Sequence, residues 1–437
     1  MKIRILSLVF LFVTVICLGQ NYYMANPEGF GGGTTGGGNS SPVIVDNYND
    51  FKSMLLLSSP QVILVSGTIV LNSSQNISEV ITNKTIIGLP GARLVNNTQT
   101  QSGSGILNLK NGSNNVIIRN LIFEGPGAYD IDGRDNLSVE GCTNLWVDHC
   151  EFQDGLDGNF DIKNNSDNIT VSWCKFTYLK PAIPGGSGGS NDHRFSNLIG
   201  SSDSNAPNDG HFSITFQNCY WAEGCKERMP RARNAELHIL NCYYNTDVSN
   251  SRALGFSGGV NSLSCYVENS DFANVGTVYQ SYGGTVALEF DNCINAVSNI
   301  GSVNAPSYSY SIIPVEDVAT YIPNTSCGAG ATLQVTNSGV ISSSCDNLSI
   351  EESSLSSFYI YPSIVKDKLY LKNFSPIIEQ GGVSVIDVNG KIIKTDNLDF
   401  NHNQDVELDF SSIVNGLYFV KVEYNNISRT YKIVKSN

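Results

Sequence analysis

The sequence predicts an all-β molecule: a right-handed parallel β-helix followed by a small C-terminal β-sandwich. Three observations predict it. First, segments ending in Cys, one further residue and an aromatic recur: NLWVDHCEF at 144–152, NITVSWCKF at 168–176, SITFQNCYW at 213–221 and ELHILNCYY at 236–244. Cys150 and Cys174 are 24 residues apart, and Cys219, Cys242 and Cys265 follow one another at 23. Second, these segments alternate β-branched and polar residues and then turn at Asn, Asp or Gly, which is strand patterning of period 2. Third, composition changes after Cys345, where a polar, Ser-rich stretch gives way to short alternating strands.

Bulk composition narrows the function classes. The 437 residues carry 26 Lys+Arg against 40 Asp+Glu, a net charge of −14, with 41% hydrophobic residues. That apolar content supports a large core and excludes wholesale disorder. The acidic balance argues against a nucleic-acid partner, which requires basic surface to displace counterions. Lys2 and Arg4 precede an apolar run from Ile5 to Gly19, so residues 1–20 read as a secretory signal peptide. No apolar run long enough to span a bilayer follows, so the mature chain is expected to lack a transmembrane segment.

Residues 21–345 are assigned to the β-helix. One strand cannot bury its own face, so a period near 23 implies stacked coils of three short strands and three turns. Right-handedness follows the usual crossover rule. NVIIRNLIF at 115–123 is an earlier copy without Cys. In stacked coils the cysteines form an inward ladder, where thiols act as small apolar core groups. Cys327 and Cys345 fall outside the repeat and are the better candidates for a disulfide.

Residues 346–357 are expected to be a linker and 358–437 a separate domain. Val383-Ser-Val-Ile-Asp-Val-Asn-Gly-Lys391 reads as a hairpin about Asn389-Gly390. Tyr361-Pro362, the Asn-Gly turn, Gly416-Leu-Tyr-Phe-Val-Lys421 and Lys432-Ile-Val-Lys435 resemble the sorting domain of the type IX secretion system of Bacteroidetes. The resemblance implies engagement of that export machinery, and secretion or attachment at the outer-membrane surface. A carbohydrate-binding β-sandwich is the alternative.

Two charged clusters bear on chemistry. Lys226, Arg228, Arg231 and Arg233 place four cations in eight residues, which require anions nearby. Asp154, Asp157, Asp161 and Asp167 lie one or two coils earlier, and Asp130, Asp132 and Asp135 a further coil back. Stacking brings residues about 23 apart side by side, so these acids can converge, and hard carboxylate oxygens suit Ca2+. Turn aspartates without a ligand are the alternative. An acidic patch beside a basic one fits an anionic substrate held partly through a bridging cation, such as a polymer of uronic acids.

Trp146-Val-Asp148-His149, Asp157-Gly-Asn-Phe-Asp161-Ile-Lys163, Ser166-Asp-Asn-Ile-Thr-Val-Ser-Trp173, Asn197-Leu-Ile-Gly-Ser-Ser-Asp203 and Arg228-Met-Pro-Arg-Ala-Arg233 together are similar to polysaccharide lyase family 1, the pectate and pectin lyases. The Gly-rich opening at 28–37 extends the likeness, which covers roughly residues 28 to 300. The resemblance implies the following roles. Arg228 falls where the family has the arginine that removes the C5 proton of galacturonate. Arg233 contacts a substrate carboxylate. Asp135, Asp157 and Asp161 are calcium ligands, and Lys163 is a further substrate-side cation. Some members carry an extra Asp where Gly133 stands here, with Asp132 adjacent. Pectate lyases place a substrate lysine where this chain has Phe195, and Arg194 resembles an arginine used by pectin lyases. Lys180 is a substitute for the missing lysine. An insertion, Pro184-Gly-Gly-Ser-Gly-Gly-Ser190, lengthens this loop.

The expected function is therefore that of a secreted, monomeric pectate lyase, cleaving polygalacturonate by Ca2+-assisted β-elimination to 4,5-unsaturated products. The alternatives are a pectin lyase acting on methylated chains, a polygalacturonate hydrolase, and a polyuronate-binding surface protein without turnover. A free guanidinium is a poor base, with a pKa above about 12, so nearby cations and desolvation would have to lower it, and activity is expected to rise on the alkaline side. His149 is expected to be structural, and His211 has no evident partner.

Overall fold

The computed structural model describes residues 24–343, 358–362, 364–373, 380–399, 405–424 and 427–436. The leader, the linker and Cys345 lie outside the described residues. The chain divides into compact units after Cys345.

Residues 24–343 form a parallel β-helix of three sheets, one of ten strands and two of eight. The ten-stranded sheet runs from Pro42–Val45 to Val286–Asp291. A second sheet carries Phe123, Phe152 and Phe176 in register. The third contains Leu107–Lys110, Leu137–Glu140, Phe160–Lys163, Leu198–Ile199 and Arg231–Arg233 as successive neighbours. Ser138 pairs with Asp161 and Leu198 with Arg231, so each step across this sheet is one coil of the chain.

The core is a set of side-chain ladders. Phe123, Phe152, Phe176, Trp221, Tyr244 and Phe272 stack in sequence, with ring centroids 4.4–5.4 Å apart and planes 8–19° from parallel. Buried stacked aromatics add to the gain from the area they remove from water. Cys150, Cys174, Cys219 and Cys242 are free and fully buried, as the repeat implied, whereas Cys265, also free and buried, departs from the expected ladder: it lies within Leu263–Glu268, paired with Leu237. Burial drives the thiols of Cys174, Cys219 and Cys265 far above their usual pKa, which keeps them protonated and inert. Cys327 is disulfide-bonded.

The turn residue before Cys150, Cys174, Cys219, Cys242 and Cys293 sits in the left-handed region. Asn218, Asn241 and Asn292 have φ of 57°, 52° and 48°, and Asn tolerates this conformation better than most L residues. Their amides also bond along the stack, Asn241 Nδ2 to Asn218 Oδ1 and Asn292 Nδ2 to Asn269 Oδ1, each at 2.8 Å. His149 and Trp173 take the same place in their coils, at 46° and 49°. They are held there by packing: their rings stack 5.4 Å apart, and His149 Nδ1 lies 2.8 Å from Asp148 Oδ2. His149 is structural, as expected.

Two helices had no counterpart in the sequence reading. Tyr48–Leu55 is capped by Asn47, whose side chain accepts from Asp50 N–H, and it buries Phe51 and Leu55. Val315–Tyr321 buries Val318. Each spans about two turns, too short for periodicity to separate from turn structure.

The C-terminal unit has a three-stranded and a five-stranded sheet, enclosing Val365, Leu369, Leu371, Val383, Val385, Phe410, Val420 and Val422. Gln380–Asp387 and Ile392–Asp399 form the expected hairpin, closed where Asp387 Oδ1 accepts from the N–H groups of Asn389 and Lys391, each at 2.9 Å.

Candidate active site

The catalytic candidates converge on the third sheet. Asp135 precedes Leu137–Glu140, Asp161 and Lys163 lie on Phe160–Lys163, and Arg228 and Arg233 flank and end the Arg231–Arg233 coil. Asp135 and Asp161 are only 2% and 1% exposed. Asp135 Oδ2 accepts from Ser138 Oγ at 2.7 Å and from Lys163 Nζ at 3.1 Å. Asp161 Oδ1 accepts from Leu198 N–H at 2.9 Å, and its Oδ2 lies 3.5 Å from Lys163 Nζ. Asp135 Oδ1 and Asp161 Oδ2 are buried with no hydrogen-bond partner.

These orphaned oxygens are the test of whether a cation fits. An unsatisfied buried acceptor costs roughly 1–3 kcal/mol, and more when charged. Burial first, and then Asp135, push the Asp161 pKa up to about 7, against the pull of Lys163 and Arg228. Two like charges held dry beside one lysine form a site short of positive charge. Gly158 lines the gap: a Cβ there would stand 2.8 Å from Asp161 Oδ1 and 2.9 Å from Asp135 Oδ1, so the space is kept clear. Asp157, whose charge acts on both Asp161 and Lys163, is a third carboxylate nearby, with its Oδ1 3.0 Å from His193 Nε2. The donor set is hard oxygen and fits calcium.

Lys163 is engaged by the acids. Burial alone would lower its pKa, but Asp135 and Asp161 outweigh that and raise it. The Arg228 guanidinium lies over the Phe195 ring, 4.7 Å from its centroid, and among the described residues it makes no hydrogen bond or ion pair. Its backbone is in the left-handed region at φ 60°. Arg228 C=O accepts from Asn197 N–H at 2.7 Å, and Asn197 C=O accepts from Arg231 N–H at 2.9 Å. The Asn197 side chain bonds Phe160 C=O and Trp221 Nε1–H. One asparagine thus ties the arginine turn to both the acidic strand and the aromatic ladder.

The other expected residues are placed differently. Arg233 donates to Gly200 C=O at 2.7 Å and pairs with the exposed Asp203 at 3.2 Å. Both forks of Arg194 close on Asp192, each at 2.7 Å. Lys180 binds Gly125 C=O and lies 3.4 Å from Glu124. Asp154 and Asp167, part of the acidic pattern in sequence, spend their carboxylates on main-chain N–H groups of Leu179, Lys180 and Ser213. His211 pairs with Ser262 Oγ at 3.0 Å. Sequence reasoning missed His193 and the ring contacts of Phe195. The His193 ring packs against Phe195 at a tilt of 46°, centroids 4.2 Å apart, on the segment that leads into Arg228's coil; the departure from lysine at position 195 was the signal available.

A cleft of 270 Å³, lined by Asn76, Asn108, Arg134, Asp135, Glu140 and Lys163 among others, extends from the acidic cluster over earlier coils of the same sheet. It is a polar groove that presents the carboxylates of Asp135 and Glu140, the amides of Asn76 and Asn108, and the cations Arg134 and Lys163.

Comparison with known proteins decides what this arrangement belongs to. The sequence profile described as pectate lyase matches residues 4–343. The chain belongs to the pectate lyase family. It is a polysaccharide lyase. A pectate trisaccharide-lyase from Thermotoga maritima is 33% identical over 276 residues, covering 59% of this chain and 67% of that one. Pectate lyase A of Aspergillus niger is 30% identical over 316 residues, covering 69% and 85%. Among solved folds, a pectate lyase from Bacillus sp. N165 in complex with trigalacturonate superposes with a TM-score of 0.50 at 23% identity, covering 68% of this chain and 96% of that one. A Xanthomonas campestris pectate lyase variant superposes at 0.52 and 20% identity, covering 70% and 98%. Residues 359–436 match a secretion system C-terminal sorting domain, which implies export. No helix among the described residues is long and apolar enough to cross a membrane.

Proposed function

We propose that this pectate lyase cleaves polygalacturonate by calcium-assisted β-elimination, with Arg228 as the base. The observation that carries the reading is the pair of buried carboxylate oxygens on Asp135 and Asp161 that accept no hydrogen bond, together with the Arg228 guanidinium, which makes no ion pair among the described residues, in the turn before Arg231–Arg233 of the same sheet. Asp135, Asp157 and Asp161 would hold the ion. When bound, Ca2+ supplies positive charge at the substrate's C6 carboxylate, which makes C5–H more acidic.

The chain's own residues do the rest. Arg228 in its neutral form takes the C5 proton. The electron pair left on C5 forms the C4–C5 double bond as the C4–O bond breaks, and the departing oxygen takes a proton from solvent. Phe195 holds the Arg228 guanidinium by its face and covers one side of it from water. Lys163 and Arg233 bind substrate carboxylates, Arg233 by releasing the exposed Asp203. Lys163 can turn to substrate once another cation neutralises Asp135 and Asp161. Arg194, with its fork on Asp192, would have to break that pair to bind substrate. This favours demethylated chains over the pectin lyase alternative. The C-terminal unit directs the enzyme through the type IX machinery to the outside of the cell or its outer-membrane surface.

The test is the ultraviolet absorbance of the unsaturated uronate formed from polygalacturonate. It should require Ca2+, vanish with a chelator and fall about 10²–10⁴-fold in Arg228→Ala. Turnover that survives chelation, or that Arg228→Ala leaves intact, would overturn this mechanism.

A further inference from the structure

The Gly-rich insertion at 184–190 has no part in the elimination just described. It folds back on Asp130. Gly188 N–H donates to Asp130 C=O at 2.8 Å, and Ser190 N–H donates to Asp130 Oδ2 at 2.7 Å. Side chains at Gly186 and Gly188 would collide with the Asp130 main chain and carboxylate, so the wrap demands glycine. Its product is the placement of His193, whose Nδ1 lies 3.3 Å from Asp130 Oδ1 and whose Nε2 lies 3.0 Å from Asp157 Oδ1.

His193 is only 7% exposed, and neither ring nitrogen makes a hydrogen bond of acceptable angle. The carboxylate oxygens lie 3.0 and 3.3 Å from the ring nitrogens without meeting hydrogen-bond geometry. Unsatisfied buried imidazole nitrogens are costly. One ligand atom from each of Asp130, Asp157 and His193 can be chosen so that all three lie within 4.8 Å of one another. Calcium is bound by oxygen, whereas imidazole with carboxylates is a donor set for late first-row divalent ions.

We propose that Asp130, Asp157 and His193 form a second cation site, selective for Zn2+ or an ion like it, beside the calcium site and sharing Asp157 with it. The sharing rests on the calcium reading of Asp157; the site itself does not. A shared carboxylate and two neighbouring divalent charges make the two ions antagonists. Zinc would raise the calcium concentration needed for turnover.

The test is titration calorimetry of the full chain, stripped of metal, with ZnCl2 alone. Wild type should take up one tight equivalent. His193→Gln, which keeps much of the side-chain volume, and Asp130→Asn should each weaken it at least about tenfold. Asp161→Asn should retain it. Visible absorption of Co2+ added to the stripped protein should follow the same pattern, and circular dichroism identifies any variant that fails to fold. No zinc equivalent in wild type, or one that both folded variants retain, would overturn the site. A calcium requirement that Zn2+ leaves unchanged in wild type would overturn the sharing of Asp157. Should the chain form unsaturated product without calcium, the calcium reading fails, while the zinc titration still decides this one.

Discussion

At the scale of single residues, the acidic cluster is defined by what its oxygens lack. Asp161, with a pKa raised to about 7, binds a proton in the folded chain that it would release at lower pH when unfolded. The metal-free protein should therefore lose stability as pH rises from about 4 to 7, and calcium should restore more of it at pH 8 than at pH 5. Thermal melts with and without Ca2+ at the two pH values measure this; an equal calcium shift at both would contradict it. Gly158→Ala offers a complementary readout: the added methyl enters the space between the two carboxylates, so calcium affinity should fall at least about tenfold with the fold retained. The family resemblance singled out Asp135, Asp157, Asp161, Lys163 and Arg228, whereas the acidic pattern by itself read only as a cluster of aspartates. It could not sort them from Asp154 and Asp167, because a turn aspartate capping backbone N–H groups and one reserved for a ligand read alike. His193 was illegible for another reason, since only the path of the insertion brings it to Asp130 and Asp157.

Among the elements, the aromatic ladder and the site are joined through Asn197. Its Oδ1 accepts from Trp221 Nε1–H at 2.8 Å inside the core. Trp221→Phe would keep the stack but leave that oxygen buried and unpaired, at a cost of about 1–3 kcal/mol. Because Asn197 also holds the Arg228 carbonyl, kcat should fall along with the chemical-denaturation midpoint. A variant with lowered stability but full kcat would show that the arginine turn is positioned without it. The ladder was readable in advance, since Cys-aromatic spacing near 23 residues specifies both the period and the inward face. The Gly-rich stretch at 184–190 reads only as a loop, because glycine alone does not say what it wraps.

For the whole molecule, the division after Cys345 leaves the sorting-domain match at 359–436 in a different unit from the coils that carry the pectate lyase match. A chain ending near residue 345 should keep its kcat/KM on polygalacturonate while failing to be exported. Loss of turnover on truncation would show that the C-terminal unit contributes to catalysis. Ile169 pairs directly with Ile214 across a coil almost twice as long as its neighbours, yet Phe176 still stacks on Trp221 at 5.4 Å. Each circuit of the chain closes on itself, so extra length bulges outward and the next circuit resumes in register. Such a scaffold lets natural variation enlarge one corner at a time: a loop can acquire or lose ligands over the groove while the stacked interior transmits none of the change.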